Sequence, residues 1–285
     1  MLIILFAGLV PMFLWGINAI FEKKFVAKTG TLKPLLYVNL ISTILNLPFL
    51  LTEKFSPELT PKFLITIFVF TIFDFIGLAL FYIGFRISKV SIVTPIASCF
   101  SILTTLISVF YYGEVISIAK IFCIVLVIAG IIVLSVDFKD LKSTTKKDLI
   151  GIICGLIIFI LYGIWVPLWS KFIATGGVFH IMTYSRMICF ALAAIFLIFT
   201  KSNFKVDCKN MILIFISAFL LLIANNVYNW GLATANATSL ITAISSAYPL
   251  IAALTAYFVL KEKLVRRQYV GIGIIITGIV LIALV

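Results

Sequence analysis

The chain has too few charged residues for a water-soluble protein. Of its 285 residues, 11% are charged and 64% are hydrophobic, and the mean hydropathy is +1.28. Soluble domains have about a quarter charged residues and about half apolar residues. The composition therefore excludes intrinsic disorder, coiled coils and secreted disulfide scaffolds. It predicts an integral membrane protein whose surroundings are the lipid bilayer.

The sequence also has little of what active sites and metal centres need. It contains one histidine, His180, and its five cysteines show no C-x-x-C spacing. Neither an H-E-x-x-H pattern nor a P-loop is present. We therefore predict no enzyme activity, no metal site and no cofactor. The net charge of +12 does not indicate nucleic-acid binding, because most Lys and Arg residues lie in short connectors between apolar runs. There they act as orientation signals for membrane helices.

Ten apolar runs are long enough to cross a bilayer as helices, which takes about 20 residues each. The runs lack the alternating pattern of barrel strands and are too long for them. The predicted spans are residues 2–21, 34–51, 63–85, 90–112, 115–136, 149–172, 178–200, 211–233, 237–260 and 268–285.

The two halves of the chain are related by a nearly constant offset. A shift of 147 residues places Leu14–Ile17 on Leu161–Ile164, and a shift of 148 places Glu114 on Glu262. Because glycines, tyrosines and glutamates recur in one order, we infer an internal duplication. The predicted units are a first five-helix repeat at 1–138, a polar linker at 139–148 and a second five-helix repeat at 149–285.

Because five is an odd number, the second copy must enter the membrane in the opposite orientation. We therefore predict an all-α fold with ten transmembrane helices arranged as two inverted five-helix repeats. Many secondary transporters have this architecture, with the solute site between the repeats near the midplane. The connectors after odd-numbered spans hold 17 Lys and Arg residues and the opposite side holds 4, which predicts that both termini lie outside.

Short motifs recur in both halves in the same order. The first half contains Leu14–Gly16, Phe81–Pro95 and Tyr112–Glu114, and the second contains Tyr248-Pro249 and Ile276–Ile279. Together they resemble the EamA-type repeats of the drug/metabolite transporter superfamily. The resemblance implies a ten-helix transporter with a central cavity and cytoplasmic termini, so the side of the termini stays open. It does not name the cargo, because this family moves amino acids, sugars, nucleotide precursors and drugs.

Aromatic and amide side chains inside the spans are the candidates for lining that cavity. Trp15 is the repeat equivalent of Tyr162, and Tyr37 is that of Tyr184. Where two such surfaces meet at a pseudo-two-fold axis, rings and a few polar tips would suit a small amphipathic solute. The alternative is helix packing or an interfacial position. The candidate cavity residues are Trp15, Asn18, Tyr37, Asp74, Tyr82, Tyr162, Trp165, Tyr184, Asn225 and Asn229.

Charged residues inside the spans are costly and therefore informative. Asp74 lies at the middle of the third span, where a carboxylate costs about 2.5–3.5 kcal/mol. It is a candidate proton carrier or solute anchor. The alternatives are a member of a buried structural pair, or a protonated acid bonded to a neighbouring hydroxyl such as that of Thr71. Arg186 is a candidate partner for Asp74, a ligand for a solute carboxylate, or a side chain that reaches the interface. We interpret Glu22, beside Lys23 and Lys24, as part of an interfacial ion pair.

Prolines and glutamates mark the ends and interruptions of the fourth and ninth spans. Pro95 and Pro249 are candidate kinks or gates, because a proline frees a backbone carbonyl and bends a helix. Glu114 and Glu262 end the same spans, and their negative charge suits the positive start of the next helix. We predict that both glutamates are structural caps.

The sequence thus predicts a secondary transporter of a small neutral or zwitterionic solute, such as an amino acid, by alternating access. Asp74 is the candidate for proton coupling. A passive facilitator or channel-like pore is the alternative, and the predicted location is a prokaryotic cell membrane. Without a cluster of Lys and Arg inside the spans, phosphorylated sugars are poor candidates for the cargo.

Overall fold

The computed structural model describes residues 1–53, 60–135, 145–260 and 265–285. Within these ranges the chain is helical, and nine helical segments are long and apolar enough to cross a membrane. A tenth, shorter apolar helix occupies the predicted fifth span. The helices are α1 Leu2–Thr29, α2 Leu32–Asn46, α3 Pro61–Ile87, α4 Val90–Ser98, α5 Phe100–Phe110, α6 Ile118–Ser135, α7 Lys146–Ile173, α8 Val178–Phe199, α9 Cys208–Thr234, α10 Thr238–Ser245, α11 Tyr248–Leu260 and α12 Arg266–Leu284.

Three of these helices begin at a residue whose side chain caps the helix. The Thr60 hydroxyl accepts a hydrogen bond from the N–H of Phe63 at the start of α3. Thr145 and Asp148 form a reciprocal capping box at the start of α7, and Asp207 caps α9. Such caps satisfy backbone N–H groups that have no partner inside the helix. Gly30 ends α1 with a positive φ of 79°, a conformation that costs glycine little.

The fourth and ninth spans are each divided into two helices. The first break lies at Cys99 between α4 and α5, and the second at 246–247 between α10 and α11. The two breaks are repeat equivalents at the offset of 148 residues. Pro95 lies inside α4 before its break, whereas Pro249 is the second residue of α11, after its break. Both prolines therefore adjoin a bend, and their use as gates stays a prediction.

Each main helix contact has a counterpart when the two repeats are exchanged by a two-fold rotation. Helix α1 packs on α9, and its equivalent α7 packs on α3; α1 also packs on α10 and α11, as α7 does on α4 and α5. The pairs α6–α12 and α2–α8 each join two equivalent helices. The main packing surfaces therefore lie between the repeats, so each repeat buries its apolar faces mostly against the other.

The contact between α6 and α12 shows that the repeats are inverted. A Cβ atom on Gly130 would lie 2.7 Å from a side-chain carbon of Ile275, and one on Gly278 would lie 2.7 Å from a side-chain carbon of Val127. Partner numbers fall along one helix as they rise along the other, so the helices are antiparallel. Because α6 and α12 are repeat equivalents, the two copies run in opposite directions. The predicted fold class is confirmed.

Several helix ends differ from the predicted spans, and the largest difference is at the end of α1. Helix α1 continues to Thr29, eight residues beyond the predicted end at 21, and so includes Glu22. The predicted linker at 139–148 lies mostly outside the described residues, and its last three residues belong to α7. Apolar content alone defines the bilayer crossing, whereas a helix continues for as long as its backbone hydrogen bonds and packing support it.

Candidate solute cavity

A cavity of about 150 Å³ lies between the two repeats, walled mainly by α1, α3, α7, α8 and α9. Its walls combine helices of the first repeat with helices of the second, and a solute site between the repeats is what an inverted-repeat transporter is expected to have. Seven of the ten candidate cavity residues line it: Trp15, Asn18, Asp74, Tyr162, Trp165, Asn225 and Asn229.

Three tryptophans form much of the cavity wall, and each indole N–H has a partner. Trp15 donates to Asn225 Oδ1 at 3.1 Å, and Trp169 donates to Asn229 Oδ1 at 2.6 Å. Trp165 donates to a backbone carbonyl at 2.9 Å and stacks on Trp169 with ring centroids 4.9 Å apart. Both candidate amides therefore hold indole rings in place, which satisfies polar groups that a bilayer interior cannot hydrate.

An ion pair crosses from one repeat to the other at the cavity wall. Arg186 Nη2 on α8 lies 2.8 Å from Asp74 Oδ2 on α3, and both side chains are 12% exposed. Tyr162 donates its hydroxyl to Asp74 Oδ1 at 3.3 Å, and Arg186 Nη1 donates to Asn39 Oδ1 at 3.2 Å. Of the alternatives for these two residues, the structure shows the mutual pair, and Arg186 does not reach toward the interface.

Glu22 was interpreted as an interfacial residue, and the structure corrects this. Its side chain is 7% exposed, lines the cavity and adjoins Asn18 and Tyr82. Lys23, its neighbour in sequence, instead donates to the backbone carbonyls of Phe85 and Ser88 at the end of α3. A sequence signal was available, because Glu22 follows Asn18 by four residues and therefore shares its helix face.

Three candidate tyrosines do not line this cavity. Tyr37 donates its hydroxyl to the carbonyl of Phe204 at 2.8 Å, at an exposed position. Tyr82 is fully buried behind the wall, with its ring 5.9 Å from that of Phe25. Tyr184 lies in a separate apolar groove with Phe63. The repeat relation predicts that equivalent residues lie at equivalent positions of the two repeats. It does not determine which face of each helix points toward the cavity.

Glutamates at the ends of the helices cap helices of the opposite repeat. Glu114 accepts hydrogen bonds from the backbone N–H of Ser239 at 3.1 Å and from its hydroxyl at 3.0 Å, at the start of α10. The prediction that Glu114 caps the next helix, α6, is therefore wrong, because its carboxylate binds the start of α10 instead. Burial raises the pKa of Glu114 above its usual 4.5. Glu262 lies outside the described residues. Glu53 likewise accepts from the N–H groups of Val178 and Phe179 at the start of α8.

The described residues contain no group of three or more His, Cys, Asp or Glu side chains that could hold a metal ion. His180 lies at the start of α8, with Nδ1 3.8 Å from Glu53. The cavity wall includes two carboxyl groups, of Glu22 and Asp74, and one guanidinium group, of Arg186. The cavity is therefore suited to binding a small solute through rings, amides and a few charges.

An all-helical membrane protein built from two inverted repeats around a central polar and aromatic cavity has the architecture of a multi-pass transporter. The model of the EamA-like transporter family matches residues 2–136 and 149–284. The chain belongs to this family, as the motifs in both halves predicted. Membership indicates a multi-pass integral membrane protein, and the members of this family are transporters of small solutes rather than enzymes.

Two further similarities concern the repeat and the fold. An uncharacterized protein of Methanocaldococcus jannaschii, MJ1333.1, is 30% identical over 130 residues, which is 46% of this chain and 94% of that protein. A relative about as long as one repeat is thus similar to half of this chain. A solved crystal structure that is 13% identical has a TM-score of 0.77 and matches over 99% of this chain and 98% of its own chain, which shows the shared fold.

Proposed function

We propose that this chain is a secondary transporter that moves a small organic solute by alternating access in a prokaryotic cell membrane. An amino acid or a related neutral or zwitterionic metabolite is the proposed class of cargo. The observation that carries the proposal is the cavity enclosed between inverted repeats, lined by three tryptophans, three tyrosine rings and an ion pair. Such a site combines apolar area with a few oriented polar groups, as small-molecule sites do.

The packing of the repeats supports an alternating mechanism. The main contacts of this structure exchange under the two-fold relation. A second arrangement in which the repeats swap their local packing would therefore have a similar set of contacts. Two states of similar energy need only a modest bias from the solute to interconvert. The broken fourth and ninth spans meet at this interface, where Ser246 donates to Ser101 at 3.1 Å.

The proposal is tested by counterflow in proteoliposomes. Vesicles loaded with a mixture of cell metabolites are exposed to labelled amino acids. A comparison of the metabolites in cells with and without the protein reduces the number of candidate solutes to be assayed. A secondary transporter gives saturable uptake that is stimulated by solute on the opposite side. A passive pore, the alternative, gives uptake without stimulation by exchange. Uptake equal to that of protein-free vesicles for every solute would contradict transport.

Proton coupling through Asp74 is the second part of the proposal. Arg186 holds this carboxylate in a salt bridge, so proton uptake requires the pair to open during the cycle. Asp74→Asn should then lower the transport rate and remove its dependence on pH, whereas Asp148→Asn, at the start of α7, serves as the control. The double variant D74N/R186Q removes both charges of this pair and extends the test if the single variant is unstable. An unchanged rate and pH dependence would exclude this role.

A further inference from the structure

The charged side chains of the cavity do not balance. Among the residues that line it, Glu22, Asp74 and Arg186 are ionisable acids or bases. Arg186 is engaged by Asp74 at 2.8 Å, so this pair is already neutralised. One carboxyl group, that of Glu22, therefore has no positive partner in the cavity wall.

Neighbouring cations do not neutralise Glu22. Across the described residues, no nitrogen of Lys, Arg or His lies within 4.0 Å of its carboxyl oxygens. Lys23 follows it in sequence but donates to the carbonyl oxygen of Ser88 at 2.6 Å. The side chains beside Glu22 are the amide of Asn18 and the hydroxyl of Tyr82. A buried carboxylate without a cation is costly, so a cation that enters the cavity gains what the protein does not supply.

The packing of the fold does not require an acid at this position. At the offset of 147 residues, the equivalent of Glu22 is Trp169, and that of Tyr82 is Asn229. In the second repeat, Trp169 donates to Asn229 at 2.6 Å, so the equivalent place is filled by a neutral hydrogen bond. The same scaffold thus tolerates a neutral pair there. An acid in the first repeat therefore points to a ligand.

The remaining groups around Glu22 suit a protonated amine. Asn18 lines the cavity, is 1% exposed, and has no hydrogen-bond partner for its Oδ1 atom in the described structure. Trp15 lies on the same face of α1, with its ring 5.1 Å from that of Tyr228 and 6.2 Å from that of Tyr248. An ammonium group offers only donors to these acceptors, and aromatic rings attract cations.

We propose that Glu22 binds the protonated amino group of the transported solute, with Asn18 as a second acceptor and Trp15, Tyr228 and Tyr248 as the aromatic wall. The proposal rests on the transport function above and assigns its cargo to amine-bearing metabolites. It also gives the two ends of a zwitterion different surroundings, because only the amino end meets an acid in the wall that is not paired with a base.

The test uses three pairs of probes that differ only in the polar group: butylamine and butanol, cyclohexylamine and cyclohexanol, phenethylamine and phenylethanol. Binding to the purified full chain is followed by tryptophan fluorescence, because three of the four tryptophans line the cavity. In the wild type, at least one amine should bind about 10- to 100-fold more tightly than its alcohol. Glu22→Gln should remove that preference, and Glu22→Asp should retain part of it.

Glu53→Gln is the matched control, because it makes the same change at an acid outside the cavity and should keep the preference. Binding of no amine, equal binding of amine and alcohol, or an unchanged preference in Glu22→Gln would overturn the proposal. Counterflow separates this result from transport itself. A saturable exchange of a solute without an amino group would overturn the amine site alone, whereas amine binding without any exchange would overturn the transport function alone.

Discussion

The buried pair of Asp74 and Arg186 gives the sharpest prediction of stability. Removing one partner of a buried ion pair costs about 3–5 kcal/mol, because the remaining charge stays buried without compensation. The two single variants should differ. In Arg186→Gln, the Asp74 carboxyl can take up a proton and still accept the hydroxyl of Tyr162, 3.3 Å away. In Asp74→Asn, the guanidinium cannot lose its proton, so its positive charge stays buried with no anionic partner, although its hydrogen bond to Asn39 at 3.2 Å remains.

We therefore expect Asp74→Asn to be the more destabilising single change, near the upper end of about 3–5 kcal/mol, with Arg186→Gln less costly. The double variant should recover most of the loss, because both charges are gone. Unfolding of the purified protein in mixed micelles with increasing sodium dodecyl sulfate measures each free energy, and the four proteins form a double-mutant cycle. Single losses below about 1 kcal/mol, or losses that add in the double variant, would refute a structural ion pair.

Three further predictions use sites away from the cavity. Gly271→Ala should destabilise the fold by about 1–3 kcal/mol in the same micellar assay, because its Cβ atom would lie 2.4 Å from the backbone nitrogen of Leu134. Gly273→Ala is the control and should cost nothing, because a Cβ atom there meets open space. Equal effects of the two substitutions would contradict the α6–α12 packing. The raised pKa of Glu114 means that the folded state binds its proton more tightly than the unfolded state. The stability of the wild type relative to Glu114→Gln should therefore fall as the pH rises above 4.5, and a difference that stays constant with pH would contradict this. Cys208 is exposed at the start of α9, beside a lysine-rich connector. A variant that retains only this cysteine should react with an impermeant maleimide from the cytoplasmic side; labelling from outside would instead agree with cytoplasmic termini.

The periodic and duplicated features of the fold could be derived from the sequence, because they follow from composition and from one offset. Apolar length defined the ten spans, and the offset that aligns Gly8 with Gly155 also relates their contacts. A Cβ atom on Gly8 would meet Ile244, and one on Gly155 would meet Ile96, the repeat equivalent of Ile244. A close approach of two helices requires glycine on one side, so such contacts leave a mark in the sequence.

The inward face of each helix was harder to derive. Tyr37 and Tyr184 fall well inside their spans, yet one hydroxyl binds a carbonyl at an exposed position and the other ring lies in an outer groove. In a membrane both faces of a helix are apolar, so the hydrophobic pattern that orients a helix in a soluble protein is weak here. The interpretation of Glu22 as an interfacial residue is wrong for a related reason. The apolar run ends before it, and lysines beside it resemble an interface, whereas its helix continues for two more turns to Thr29.

The repeat relation is conserved in the scaffold and broken in the cavity, and the two facts have one physical explanation. Glycine contacts recur at the same offset because both repeats need the same backbone approach, and this keeps two packings close in energy. The equivalents of Asp74, Arg186 and Glu22 are Leu221, Asn39 and Trp169, so no charge of the cavity is duplicated. A second set of charges would cost about 2.5–3.5 kcal/mol for each charged side chain at mid-membrane. Because the cavity residues differ between the repeats, that cost is avoided. The glycine contacts that make the two packings similar in energy are kept. It also makes the cavity asymmetric, because the acid Glu22 in the first repeat corresponds to the neutral Trp169 in the second.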